Sequence, residues 1–295
     1  MNSAYTLLSI MSLCFGLSGA ITTPALPAAQ QLPTSAVGQY QWLQKGQYNP
    51  KQSLAARFPA PTGYERVAVT SGSFGQWLRY LPLLPTGSSV HLHNGELKDR
   101  QDVHAAVLNL NTGSRDLQQC ADAVIRLRAE YLFSQDPTQV HFHLTSGHDI
   151  RFQDWYSGRT FRVAGEQVLP ASKPAELPTH AVFRRYMDQI FTYAGTLSLS
   201  RELVSVPLAQ VQPGDVLIRG GSPGHAVLVL DVALQPSIGR RVALLAQSYM
   251  PAQQMHVLKP DSFQSYGAWF ALDASQEQVF TPEWTFSQNE LKRFE

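Results

Sequence analysis

Cysteine is nearly missing from this chain of 295 residues: only Cys14 and Cys120 occur. Cys14 lies in an apolar N-terminal leader, so a processed chain keeps Cys120 alone and can form no internal disulfide. That thiol is then buried and inert, intermolecular, or reactive. Net charge is almost absent as well, with 23 Lys and Arg against 22 Asp and Glu. A balance of +1 provides no long-range field for nucleic acid or an anionic membrane, so neither is expected as a partner. No internal repeat is evident. Beyond the leader, no apolar run approaches the ~20 residues that span a bilayer, so no integral membrane segment is expected after cleavage. Gly72, Gly75, Gly220 and Gly221 do not make a phosphate loop, because no Gly-Lys-Ser/Thr or strand-Gly-x-Gly-helix arrangement accompanies them. Nucleotide chemistry is not indicated and no cofactor is expected.

Residues 1–20 combine an apolar core with small residues at Ser18 and Ala20, the pattern of a secretory signal, although its first residues carry no Lys or Arg. The expected location is therefore periplasmic or secreted. Residues 21–40, rich in Pro, Ala, Thr and Gln without periodicity, read as a linker. With 44% hydrophobic residues, the remainder can bury a large core. We expect a single α+β domain over 41–275 with an insertion at 135–200, and a loosely attached tail over 276–295.

The densest run of strand and turn signals is 211–251. Pro213-Gly214-Asp215 is turn chemistry, 216–218 is a short apolar run, and 220–224 is a second turn. The almost unbroken apolar stretch 226–232 belongs inside a sheet, which puts His225 at the mouth of a buried strand. A further strand, 242–248, ends in Gln247 and Ser248. Upstream, 116–133 (DLQQCADAVIRLRAEYLF) has helical periodicity, with Ser114 or Asp116 as cap and a capping-box spacing from Asp116 to Gln119. Cys120 then lies past the first turn, where help from the helix dipole decays, and Arg128 falls in the apolar stripe and needs a partner. Residues 179–194 predict a second amphipathic helix.

A thiol near a helix N-terminus and an imidazole at a strand mouth make a candidate nucleophile and base. Either Gln247 or Ser248 can accept the ring N–H and orient it. The order of helix-borne cysteine, Pro-Gly-Asp turn, Gly-His strand and polar-ended strand resembles the papain-like hydrolases of the NlpC/P60 and CHAP groups. The resemblance implies a papain-like fold, in which a central antiparallel sheet packs against the cysteine helix. It also implies cleavage of an amide, with cell-wall peptide as a candidate substrate, through Cys120 as nucleophile, His225 as general base and Gln247 or Ser248 as orienter. The Cys120 N–H and the side chain of Gln118 or Gln119 would serve as oxyanion donors. The chain is also similar to a family of secreted bacterial proteins with no assigned activity, through LQQCADAVIRLRAEYL, FTYAGTLSLSREL, GSPGHAVLVLDVA and LLAQSYMPAQ.

The competing expectation is an exported binding protein of the same fold that catalyses nothing. Trp77, Tyr80, Trp155 and Tyr156 are candidate groove residues for a peptide or glycan. A third class, a metal protein built on His91, His93, His141 and His143 with His148 as a further ligand, is geometrically open but has no signal that the two pairs meet. No metal is expected.

Overall fold

The computed structural model describes residues 39–261 and 266–295. The expected leader, and all of the expected linker but its last two residues, lie outside the described residues. The first half of the fold comprises α1 (Leu54–Arg57), β1 (Glu65–Arg66), α2 (Phe74–Arg79), β2 (His104–Val107), α3 (Cys120–Gln135), β3 (His141–His143), β4 (Asp149–Arg151), α4 (Phe152–Tyr156), β5 (Arg159–Ala164) and β6 (Gln167–Ser172). The second comprises α5 (His180–Tyr193), α6 (Thr196–Glu202), β7 (Val204–Ser205), β8 (Val216–Arg219), β9 (His225–Gln235), β10 (Arg240–Gln247), β11 (His256–Leu258), β12 (Phe270–Leu272), β13 (Gln278–Phe280), β14 (Thr285–Ser287) and β15 (Leu291–Arg293).

Nine strands form one antiparallel sheet in the order β2-β11-β10-β9-β8-β15-β7, with β1 added to β9 and β12 to β10. The protein is thus α+β with a large antiparallel sheet, and the three strands expected from 211–251 are its central neighbours. β9 is buried over its first nine residues because both of its faces are covered. Ala226, Leu228 and Leu230 join a core with α3, α2 and α5. Val227, Val229 and Val232 join a second core with Phe286, Val279 and Leu291. A strand with two covered faces has no polar side to alternate with, which explains its unbroken apolar sequence. Its one charge, Asp231, is fully buried and held by Arg66 at 2.6 Å and Arg79 at 2.7 Å.

Turn chemistry fixes the approach to the sheet. Gly214 adopts φ +99°, a conformation that favours glycine. The buried Asp215 carboxylate accepts the Gln212 N–H at 2.8 Å and pairs with Arg293 at 2.6 Å. That ion pair ties the Pro-Gly-Asp turn to β15 and overturns the expectation of a loose tail. Residues 276–295 contribute the β13–β14 hairpin, and β15 lies between β8 and β7. Phe286 and Leu291 are fully buried, and that apolar burial holds the segment to the sheet.

Two further expectations change. α3 begins at Cys120, not near Asp116, and Arg126 rather than Arg128 is its fully buried cation. Arg126 bonds Glu130 at 2.7 Å and Gln118 at 3.0 Å. Arg128 is half-buried against the rings of Phe74, Tyr131 and Phe294. α5 appears as expected, with Thr179 capping the Val182 N–H. Residues 135–200 hold the β3–β4 and β5–β6 hairpins, α4 and α5.

Candidate functional site

α3 packs on β9, and where the start of the helix meets the start of the strand there is a cavity of about 500 Å³. Cys120, the first helical residue, and His225, the first residue of β9, both line it. Its walls include Phe191, Tyr249 and Trp284, and its rim includes the exposed Met250. Gly224 brings the strand mouth close to its surroundings. A Cβ there would stand 2.4 Å from the Gly221 carbonyl oxygen, 2.5 Å from Thr196 Oγ1 and 2.8 Å from the Arg219 carbonyl oxygen.

The new helix start alters the electrostatics of the cysteine. At the first helical position the thiol meets the positive end of the dipole, and the backbone N–H groups of Ala121, Ala226 and Cys120 itself favour the thiolate. Ala226 directly follows His225, so the thiol reaches the backbone of the histidine strand. Burial is the larger influence and, with the nearby Asp122, pushes the Cys120 thiol above its ordinary value. Burial also lowers His225, although the Gln247 bond and the Glu283 charge act the other way. Near neutral pH the thiol and the imidazole that line the cavity are therefore both neutral.

The imidazole is held at Nε2 and flanked by aromatic rings. His225 Nε2 lies 2.8 Å from Gln247 Oε1, and the Gln247 amide nitrogen donates to Glu283 at 2.6 Å. Lys98 pairs with the other Glu283 oxygen at 2.6 Å. The rings of Tyr249 and Trp284 lie 5.0 and 5.2 Å from the imidazole, centroid to centroid, and Phe286 at 6.0 Å.

The structure sorts the other sequence candidates. Of the two candidate orienters, Gln247 touches His225. Ser248 instead donates to the Gln118 and Gln253 carbonyls, bracing the chain just before Cys120. Gln119 lines the cavity and its amide donates to Asp116 at 3.0 Å. Gln118 is buried and its side chain is turned to Arg126, away from the oxyanion role considered for it. Trp77, Tyr80 and Trp155 are core residues and Tyr156 is partly buried against the same core; none of the four is a wall of this cavity. Trp77, for example, is 2% exposed and its ring lies tilted against that of Tyr40, centroids 5.1 Å apart. His141 bonds Asp149, His143 bonds Glu202, and His148 bonds Ser146. His91 bonds the Ser89 carbonyl. Among the described residues no group of three or more His, Cys, Asp or Glu is placed to hold a metal ion, and His93 belongs to none.

Sequence reading missed Asp122, Lys98, Tyr249, Glu283 and Trp284. Asp122 is 7% exposed and lines the cavity. One of its oxygens accepts the Gln119 N–H at 3.1 Å, and burial raises its pKa to about 8. The Gln119-to-Asp122 spacing is the same capping rule applied three positions later, and it would have located the helix start. Glu283 and Trp284 lie in the stretch read as a tail, where no periodic signal marks them.

Fold and site together define a mixed α+β protein with a buried cysteine-histidine cavity between a helix start and a sheet. The chain belongs to the family described as Domain of unknown function (4846), whose family model matches residues 54–293. No curated protein and no solved structure matches the chain. No helix among the described residues is long and apolar enough to cross a membrane.

Proposed function

We propose that this chain is a cysteine hydrolase or acyltransferase acting on an amide bond, exported by its apolar leader, with cell-wall peptide as the candidate substrate. One observation carries the reading: Cys120 is the first residue of α3 and shares a cavity with His225, whose Nε2 is engaged by Gln247. An imidazole that donates from Nε2 keeps its lone pair on Nδ1. That nitrogen takes the thiol proton as sulfur attacks the substrate carbonyl carbon, and returns it to the leaving amine as the C–N bond breaks. The thioester that remains is released by water or by a second acceptor. The Cys120 N–H at the helix start and the Gln119 amide at the cavity wall are the candidate oxyanion donors. Helix-borne cysteine, strand-mouth histidine and an orienter on the adjacent strand are the features that favour a papain-like arrangement of the NlpC/P60 or CHAP kind.

A second reading, an exported protein that binds a peptide or glycan without cleaving it, is favoured by the raised thiol and by the aromatic walls of the cavity. Incubation with muropeptides, followed by mass spectrometry, separates the two. The hydrolase reading expects amide cleavage or acyl transfer by the wild type and its loss in both Cys120→Ala and His225→Ala. Saturable muropeptide binding with no turnover, unchanged in Cys120→Ala, would establish the binding protein instead.

A further inference from the structure

We propose that Glu283 is a positioning residue for His225, acting through the Gln247 amide, with Lys98 as the cation that holds Glu283 in place. The proposal rests on the reading of His225 as a base and supplies what that reading lacks, a reason for the base to keep one tautomer.

A glutamine beside a histidine is an ambiguous partner. Its amide can offer oxygen, which requires a proton on the imidazole nitrogen, or it can turn over and offer N–H, which requires a lone pair there. The two arrangements place opposite tautomers at the far nitrogen, and only the first leaves Nδ1 free to accept a proton. Glu283 removes the ambiguity. Its carboxylate accepts hydrogen bonds and cannot donate, so at 2.6 Å it demands the NH2 end of Gln247. The oxygen end is then committed to His225 Nε2 at 2.8 Å. Gln247 is fully buried, so water does not compete for either end.

Lys98 completes the chain of contacts. It is 7% exposed, bonds the second Glu283 oxygen at 2.6 Å and lies 5.6 Å from the centre of the Tyr249 ring. The Glu283 side chain, 11% exposed, is thus held between the Lys98 ammonium and the Gln247 amide. The four residues come from distant parts of the chain: the loop before β2, the mouth of β9, the end of β10 and the turn between β13 and β14. Their contact closes only when the fold is complete.

Other groups that face the imidazole are accounted for. Arg219 on β8, the register partner of His225, is committed to Glu290 at 2.6 Å and lies over the Trp284 ring. His256 on β11 is fully buried, and desolvation lowers its pKa to about 3, so it adds no charge near neutral pH. Tyr249 contacts the ring, and Cys120 and Asp122 face the cavity from α3.

The experiment reads His225 directly, by NMR of the full chain with 15N-labelled histidine and with His225→Gln to assign the signal. In the wild type we expect the Nε2–H tautomer. Glu283→Gln, which can offer Gln247 either end of an amide, should populate the Nδ1–H tautomer and lower the titration midpoint of His225. The same variant should slow iodoacetamide alkylation of Cys120 about tenfold or more, a part of the 10²–10⁴ that a positioned base contributes. Lys98→Met, which releases Glu283 from the cation that holds it, should also populate the Nδ1–H tautomer. It also provides the test if Glu283→Gln does not fold. On a Gln247→Ala background, Glu283→Gln should no longer change the tautomer ratio. A tautomer change supports the proposal whether or not Cys120 proves reactive. An unchanged tautomer in folded Glu283→Gln, or in folded Lys98→Met, overturns it even if Cys120 is a nucleophile.

Discussion

The Asp122 carboxyl lies two residues beyond Cys120 on α3, and its charge opposes ionisation of the thiol. Since Asp122 titrates at about 8, the opposition is weak near neutral pH and grows above it. Asp122→Asn keeps an oxygen for the Gln119 N–H and removes the charge. We expect iodoacetamide to label Cys120 faster in this variant above pH 8, with rates near pH 6 close to those of the wild type. Identical profiles across pH 6–10 would show that the carboxyl does not reach the thiol.

The same carboxyl makes folding stability depend on pH. Its value in the folded chain is raised to about 8 by burial, against ~3.9 for an unperturbed Asp. A raised folded value means that its contribution to stability is fully present below pH ~4 and is lost progressively as pH rises toward 8. Urea unfolding of the wild type should therefore weaken across that window, and Asp122→Asn should flatten the slope. Parallel curves for the two proteins would contradict the buried, protonated acid.

Arg126 and Glu130 form an ion pair one helical turn apart, with side chains 0% and 1% exposed. His180 also bonds the Glu130 carboxylate, at 2.9 Å. Glu130→Gln leaves a buried guanidinium without its counter-charge and should cost about 3–5 kcal/mol of stability. A double change of Arg126→Met with Glu130→Leu should recover much of that loss, because it removes both charges. Chemical denaturation of the two variants checks the contrast.

At Gly224 two of the three atoms that a side chain would meet are backbone carbonyl oxygens, and the third is the Thr196 hydroxyl. Gly224→Ala must displace the Gly221 and Arg219 carbonyls, and we expect a loss of about 1–3 kcal/mol, seen as a lower Tm. His225 moves with the turn, so the variant should also change the rate of Cys120 alkylation.

The central sheet was legible because β8, β9 and β10 are local hairpin neighbours marked by Pro-Gly-Asp, by glycine-rich turns and by apolar runs. α5 was legible through its cap and amphipathic spacing. The start of α3 was not. Residues 114–119 offer several capping residues, and the choice among them is tertiary: Asp116 is drawn off by the Ala252 N–H and the Gln119 amide. Arg126 and Arg128 were interchanged because a helix covered on nearly every side has no single apolar stripe to read. Gln247 was legible as a strand-end amide, whereas Glu283 behind it depends on a contact 36 residues away. β15 was missed because its three residues alternate weakly and gain their place only by pairing with strands far upstream.

The placement of Trp284 and β15 also sets an order of events during synthesis. Roughly 160 residues separate Cys120 from the aromatic wall that encloses His225. At translation rates of ~5–20 residues per second, the thiol waits roughly 10–30 s for its surroundings to be made. From the synthesis of β8 until that of β15, β8 is an open edge and the second core has no Phe286 or Leu291 to cover it. The nascent chain therefore carries an exposed template for strand pairing, and its exposure ends only when the last strand arrives.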